Sequence, residues 1–220
     1  MDRLYGNFVR PGDLVFDVGA HVGDRVASFQ RLGARVVAIE PQPSMVRALR
    51  LLYGRSKSVV IEALAVGREP GGARMLINVD NPTVSSVSPA FVEAAYGAPG
   101  WETQRWSETI DVAVTTLDAL IAKHGVPAFI KLDVEGFEAE ALSGLSQAVP
   151  ALSFEFTTIQ RDVALACIER CSALSYGRFN SALGESQTLI GEWMNAQDIA
   201  RWLIELPQAA NSGDIYAVVA

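Results

Sequence analysis

The sequence predicts an α/β fold built on a doubly wound, mostly parallel sheet, and three observations carry that prediction. Short apolar runs alternate with helix-like stretches along the chain, and such alternation stacks helices on both faces of a parallel sheet. The runs are nearly continuous in apolar residues, as strands buried on both faces are. The first run also leads through a glycine-bearing loop, "LVFDVGAHVGD", into a helical pattern. In open α/β sheets, loops at the carboxyl ends of strands hold ligands.

Taken in order, "LVFDV" (14–18) is the first strand, and a helix follows from about Asp24 to Leu32. "ARVVAIE" (34–40) precedes the helical "PSMVRALRLLYG". "KSVVIEALAV" (57–66) is the third apolar run. "AFIKLDV" precedes the helical "GFEAEALSGL", and "ALSFEF" precedes "RDVALACIERCSAL". Cys167 and Cys171 lie four apart in that last helix and read as small apolar side chains on one helical face. The helix "NAQDIARWLIEL" and a final strand, "GDIYAVVA", close the chain. Residues 1–220 read as a single domain. The segment 78–110 breaks the rhythm with Pro, Gly, Ser and aromatic residues. It is either a lid or substrate-binding insertion or a surface elaboration with one short helix near 89–96.

Composition narrows the function. Half of the 220 residues are apolar and a fifth are charged, with a net charge of −7. That balance argues against a nucleic-acid surface, which needs clustered Lys and Arg. No uncharged apolar run reaches the length that spans a bilayer, and "MDRLYGNFVRPGD" lacks the apolar centre of a signal peptide. Two cysteines suit a reducing compartment. The expectation is a soluble, cytoplasmic protein acting on a small molecule, without a nucleic-acid or membrane partner.

The first loop discriminates between ligands. Glu40 ends the second strand, 21 residues after Gly19, and an acid at that spacing commonly grips ribose hydroxyls. A dinucleotide loop wants a second glycine where pyrophosphate meets the backbone. Here that position is His21, whose side chain would crowd a pyrophosphate. S-adenosylmethionine carries ribose and adenine without phosphate and tolerates the change. Gly19, Ala20 and Gly23 still provide a close loop. His21 also has the near-neutral pKa of a general base, although a loop residue bonding the backbone is the favoured reading.

The fourth run poses a separate question. Side chains alternate along a strand, so Lys131, Asp133 and Glu135 share one face, and charge buried in a sheet is costly unless paired or used. Asp133 and Glu135 fall where the strand leaves the sheet, beside a helix start that favours carboxylates. They therefore need not be deeply buried. Glu155 ends the fifth strand nearby, and Lys131 is expected to neutralise one of these acids. Asp133, Glu135, Glu155 or His21 can take a proton from an acceptor. Asp133, Glu135 and Glu155 can alternatively hold Mg²⁺, which favours oxygen ligands, but with no Asp-Asp pair beside them the metal-free version is preferred.

Together, "PGDLVFDVGAHVG", "VVAIEPQPSMVRAL", "TTLDAL", "IKLDVEGFEAEALSG" and "LSFEF" resemble the FkbM-type methyltransferases. That resemblance covers about 14–156 and is weak beyond. It implies the class I methyltransferase fold, a Rossmann-like seven-stranded sheet with an antiparallel C-terminal strand. It also implies methyl transfer from S-adenosylmethionine, with a hydroxyl on a small molecule or sugar-containing product as the acceptor. By the same resemblance Asp17, Gly19, Gly23 and Glu40 hold the cofactor, with Ala20, His21 and Pro41 in the same loops. Asp133 sits beside its methionine part, and Ser85 and Ser86 match a Ser-rich segment near it. His21 departs from the Asn often found there. Two rivals stand against this reading: a dinucleotide-dependent oxidoreductase and a non-catalytic ligand-binding protein on the same fold.

Overall fold

The structure is a computed structural model and describes residues 1–219. A short helix, α1 (Asp2–Tyr5), precedes β1 (Leu14–Val18), α2 (Asp24–Arg31), β2 (Arg35–Ile39), α3 (Pro43–Tyr53) and β3 (Val59–Glu62). β4 (Ala65–Val66), β5 (Gly71–Ile77), α4 (Pro89–Ala95) and β6 (Glu108–Thr115) follow. The second half comprises α5 (Leu117–His124), β7 (Phe129–Leu132), α6 (Glu138–Ser143), β8 (Ala151–Thr157) and α7 (Arg161–Ala173). It closes with β9 (Tyr176–Leu183), α8 (Ala196–Glu205) and β10 (Ser212–Val219). Local chemistry sets several helix starts. Pro43 and Pro89 occupy first turns, where a missing N–H costs nothing. Ser88, Thr116 and Asn195 cap α4, α5 and α8 by accepting from the backbone N–H groups of Phe91, Ala119 and Asp198.

Seven strands form the main sheet in the order β3-β2-β1-β7-β8-β10-β9. The first five are mutually parallel, and β10 runs antiparallel between β8 and β9. One face buries Phe16, Val18, Ile130, Leu132, Leu152 and Phe154 against residues of α5, α6, α7 and α8. The other packs Val15, Val36, Phe129 and Tyr216 against α1, α2 and α3. Cys167 and Cys171 are free and buried on the inner side of α7. Complete burial of one such Phe or Leu contributes about 1.5–3 kcal/mol, so the strands at the centre of the sheet form a stiff platform.

The structure corrects one expectation and adds three strands that the apolar runs did not mark. The single run over 57–66 is two strands, because the chain changes sheets within it: β3 extends the main sheet beside β2, whereas β4 pairs with β6 in a second, three-stranded sheet of order β4-β6-β5. Val59, Ala65 and Val66 are all buried, so hydrophobicity runs through the switch without a mark. Residues 71–77 and 108–115 are strands pairing with each other, so 78–107 is the connection between two antiparallel neighbours and the last three residues of the 78–110 segment belong to β6. β9 gave no apolar run, since it carries Arg178, Asn180 and Ser181, but pairing along β10 holds it extended.

Candidate active site

The β1–α2 loop is tied to the end of β2. The backbone N–H groups of Gly19 and Ala20 both donate to the Ile39 carbonyl, at 2.9 and 3.1 Å. Gly19 has φ 81, and a Cβ there would lie 1.7 Å from the Asp133 carbonyl oxygen, so only glycine lets the first and fourth strand ends approach this closely. His21 adopts φ 49, and its N–H donates to Glu40 Oε2 at 2.9 Å. Glu40 Oε1 accepts from Gln42 N–H at 2.8 Å. Burial pushes the Glu40 carboxyl up to about 7 against those two donors. It also lowers the His21 pKa, which keeps the ring neutral at pH 7, and Nε2 is buried without a hydrogen-bond partner.

The acids after β7 gather differently from a strand alternation. The strand ends at Leu132, Glu135 turns left-handed at φ 54, and α6 starts only at Glu138. Glu135 thus reaches the same side as Asp133 by a turn. Lys131, one residue inside the end of the strand, is only 1% exposed. The expected pairing is present: its Nζ donates to Asp133 Oδ2 at 2.5 Å. Glu155, from the end of β8, completes the group, and carboxylate oxygens of Asp133, Glu135 and Glu155 lie within 4.8 Å of one another. Burial opposes ionisation of all three. The Lys131 ammonium nevertheless holds Asp133 below the usual carboxylate range. Burial and the Asp133 charge push Glu135 and Glu155 well above it.

These loops surround one cavity of about 340 Å³ at the carboxyl ends of the strands, a volume typical of small-molecule sites. Gly19, Ala20, His21, Glu40, Pro41, Ser85, Asp133, Glu135 and Glu155 all line it. Three further expected residues stand behind that wall. Gly23, left-handed at the α2 N-cap, accepts from the Tyr53 hydroxyl at 2.8 Å. Ser86 Oγ donates to the Glu135 carbonyl at 2.6 Å. Asp17 is fully buried on β1 with neither carboxylate oxygen hydrogen-bonded. Sequence reasoning missed Arg25 and Glu185, which line the cavity and pair at 2.9 Å. Arg25 opens the helix after the glycine loop, a position that could have flagged it. Glu185 lies 160 residues away with no local signal.

The segment 78–110 has a small core of its own. Val84, Phe91, Ala95 and Trp101 are buried together, and Trp106 Nε1 donates to the Val84 carbonyl at 2.8 Å. Its helix, α4, falls on the expected 89–96. The segment docks through Ser86 and through Gln42 Nε2, which donates to the Pro82 carbonyl at 3.1 Å. Thr83, Ser85 and Val87 bring it to the cavity wall.

A family model described as "Methyltransferase FkbM domain" matches residues 17–203. The 31-O-demethyl-FK506 methyltransferase FkbM of Streptomyces tacrolimicus is 32% identical over 171 residues, covering 67% of this chain and 66% of that protein. The crystal structure of methyltransferase FkbM from Methylobacillus flagellatus aligns with 99% of this chain and 50% of its own, at TM-score 0.56 and 15% identity. Precorrin 8w decarboxylase from Methanobacterium thermoautotrophicum aligns with 99% of this chain and 89% of its own, at TM-score 0.50 and 12% identity. At those identities the two structures speak for the fold alone. The chain spans half the length of the first structure and just under two thirds of the Streptomyces relative.

Proposed function

The chain belongs to the FkbM methyltransferase family, and on that premise we propose that it transfers a methyl group from S-adenosylmethionine to a hydroxyl oxygen of a small molecule or sugar-containing product. Its sheet is that of the class I methyltransferase fold. One observation carries the reading: a single cavity joins the glycine loop and Glu40 to the carboxylates of Asp133, Glu135 and Glu155. The oxygen acceptor is supported by the relative named for 31-O-demethyl-FK506. A small-molecule partner, rather than nucleic acid, suits the net charge of −7. Among the described residues no helix is long and apolar enough to cross a membrane. Two free, buried cysteines suit a reducing compartment, and the cytoplasm is the proposed location.

The residues fit this cofactor. Gly19 and Ala20 line the cavity with backbone tied to Ile39, and Glu40 offers a carboxylate held by two backbone donors. S-adenosylmethionine, when bound, supplies an electrophilic methyl group on a sulfonium. Glu40 would hold its ribose hydroxyls, and Asp133 would face its methionine part. Glu135 and Glu155, which have no ion-pair partner among the described residues, orient the acceptor hydroxyl and take its proton. Their raised affinity for a proton suits that role. The docked segment 78–110 excludes water, and orientation within the cavity supplies much of the acceleration. A metal-free site is favoured because the Lys131 ammonium already occupies Asp133 Oδ2.

The test is calorimetry with S-adenosylhomocysteine, followed by transfer of labelled methyl from S-adenosylmethionine to a panel of sugars, polyols and macrocyclic alcohols. Micromolar binding and label on an acceptor oxygen are expected. Failure to bind the homocysteine, or binding of nicotinamide dinucleotide in its place, overturns the reading. Inhibition by EDTA that Mg²⁺ reverses would replace the metal-free site with a metal-assisted one.

A further inference from the structure

We infer that Lys131 is a positioning residue, fixing the Asp133 carboxylate on the cavity wall with the buried Asp17 in register on the neighbouring strand; the inference rests on the reading of that cavity as an S-adenosylmethionine site. A lysine 1% exposed in the middle of a parallel sheet costs several kcal/mol of desolvation unless its charge is compensated. An aliphatic side chain would satisfy the same position. The compensation is asymmetric. In front, Nζ donates to Asp133. On the neighbouring strand, Asp17 sits in register with Lys131, fully buried, and both its oxygens lack a hydrogen-bond partner. On the other side Ser153 is in register, 0% exposed, with an unpartnered hydroxyl. Asp214 from β10, Tyr5 from α1 and Arg25 from α2 complete the charged and titratable groups that act on this ammonium or on Asp17.

Of Asp133 and Asp17, only Asp133 lines the cavity. Its backbone is clamped as well: its N–H donates to the Val18 carbonyl at 3.0 Å, and its own carbonyl meets the bare Cα of Gly19. Lys131 therefore removes the side-chain freedom that the backbone contacts leave. The result is an anion of fixed position on a partly enclosed wall. Such an anion favours a cationic ligand over a neutral one of the same shape, here the sulfonium over the thioether product. Proton removal then falls to Glu135 and Glu155, whose carboxylates have no hydrogen bond to a cation.

The experiment is the ratio of dissociation constants for S-adenosylhomocysteine and S-adenosylmethionine, measured by calorimetry, with thermal midpoints as the check on folding. Lys131→Met, which takes away the ammonium that keeps the buried Asp133 carboxyl ionised and in place, and Asp133→Asn should each reduce the preference for the sulfonium by about tenfold, and Lys131→Arg should keep most of it. Because Lys131 acts through Asp133, Lys131→Met should add nothing in an Asp133→Asn background. If Lys131→Met does not fold, Asp17→Asn/Lys131→Met, which removes the charge from both, carries the same comparison. An unchanged ratio in a folded Lys131→Met protein, or an equal effect in both backgrounds, overturns the inference. Failure of the wild-type protein to bind either compound would instead sink the reading of the cavity.

Discussion

The two faces of the main sheet are both buried, yet they are built differently. Toward α5–α8 the central strands present Phe16, Ile130, Leu152 and Phe154. Toward α1–α3 the same strands present Asp17, Lys131, Ser153, Tyr216 and Asn180, one residue per strand in continuous register. The next step along that face brings Asp133 and Glu155 to the cavity. An apolar face needs only volume and shape; a polar one needs partners, and it remains because something uses it. The platform and the chemistry thus share strands but occupy opposite sides of them.

The comparison is broken most forcefully by cutting the apolar face. Phe16→Ala should cost about 3–5 kcal/mol of stability, read as a lower denaturant midpoint, with cofactor affinity unchanged below the transition. A loss of affinity larger than the loss of stability would show that the two faces are not separable. On the polar side, Glu135→Gln/Glu155→Gln should leave the midpoint close to wild type and lower methyl transfer by about 10²–10⁴. Wild-type turnover in that double variant would reduce these acids to a structural role.

Smaller effects sharpen the contrast. The folded pKa of Glu40, about 7, lies above its ordinary 4.5. Its contribution is therefore fully present below pH 4.5 and is lost as pH rises through 7. Urea titrations of the ligand-free protein should show wild type losing about 3 kcal/mol relative to Glu40→Gln between pH 4.5 and 8. Parallel curves would remove Glu40 from the list of groups whose burial the ligand relieves. The smallest signal concerns 78–110. Hydrogen exchange in that segment should slow when S-adenosylhomocysteine binds, while the platform strands stay unchanged. Identical protection with and without ligand would leave the segment a fixed wall and end its reading as a lid.

Several features were decided by the sequence alone. The α/β class follows from strand and helix periodicity, and six of the seven main-sheet strands were legible, the central ones as apolar runs because they are covered on both faces. Gly19, His21 and Glu40 pointed to one wall of the cavity because their spacing is a local property of one β–α–β unit. Lys131 announced itself as a charge in an apolar run, and its partner, two residues away, was within reach of simple strand geometry.

What lay between distant segments was decided only by tertiary structure. Continuous hydrophobicity concealed the change of sheet between Glu62 and Ala65, since burial in either sheet looks the same to periodicity. Glu135 joined Asp133 through a left-handed turn that no alternation predicts. Arg25 met Glu185 across 160 residues, and β9 became a strand through its pairing with β10. Asp17 reads like a residue of the ligand loop, and the sheet places it fully buried, in register with Lys131 and behind the cavity wall. A side chain's type is written locally, but its partner depends on which strands lie adjacent, and that is settled only when the whole sheet has assembled.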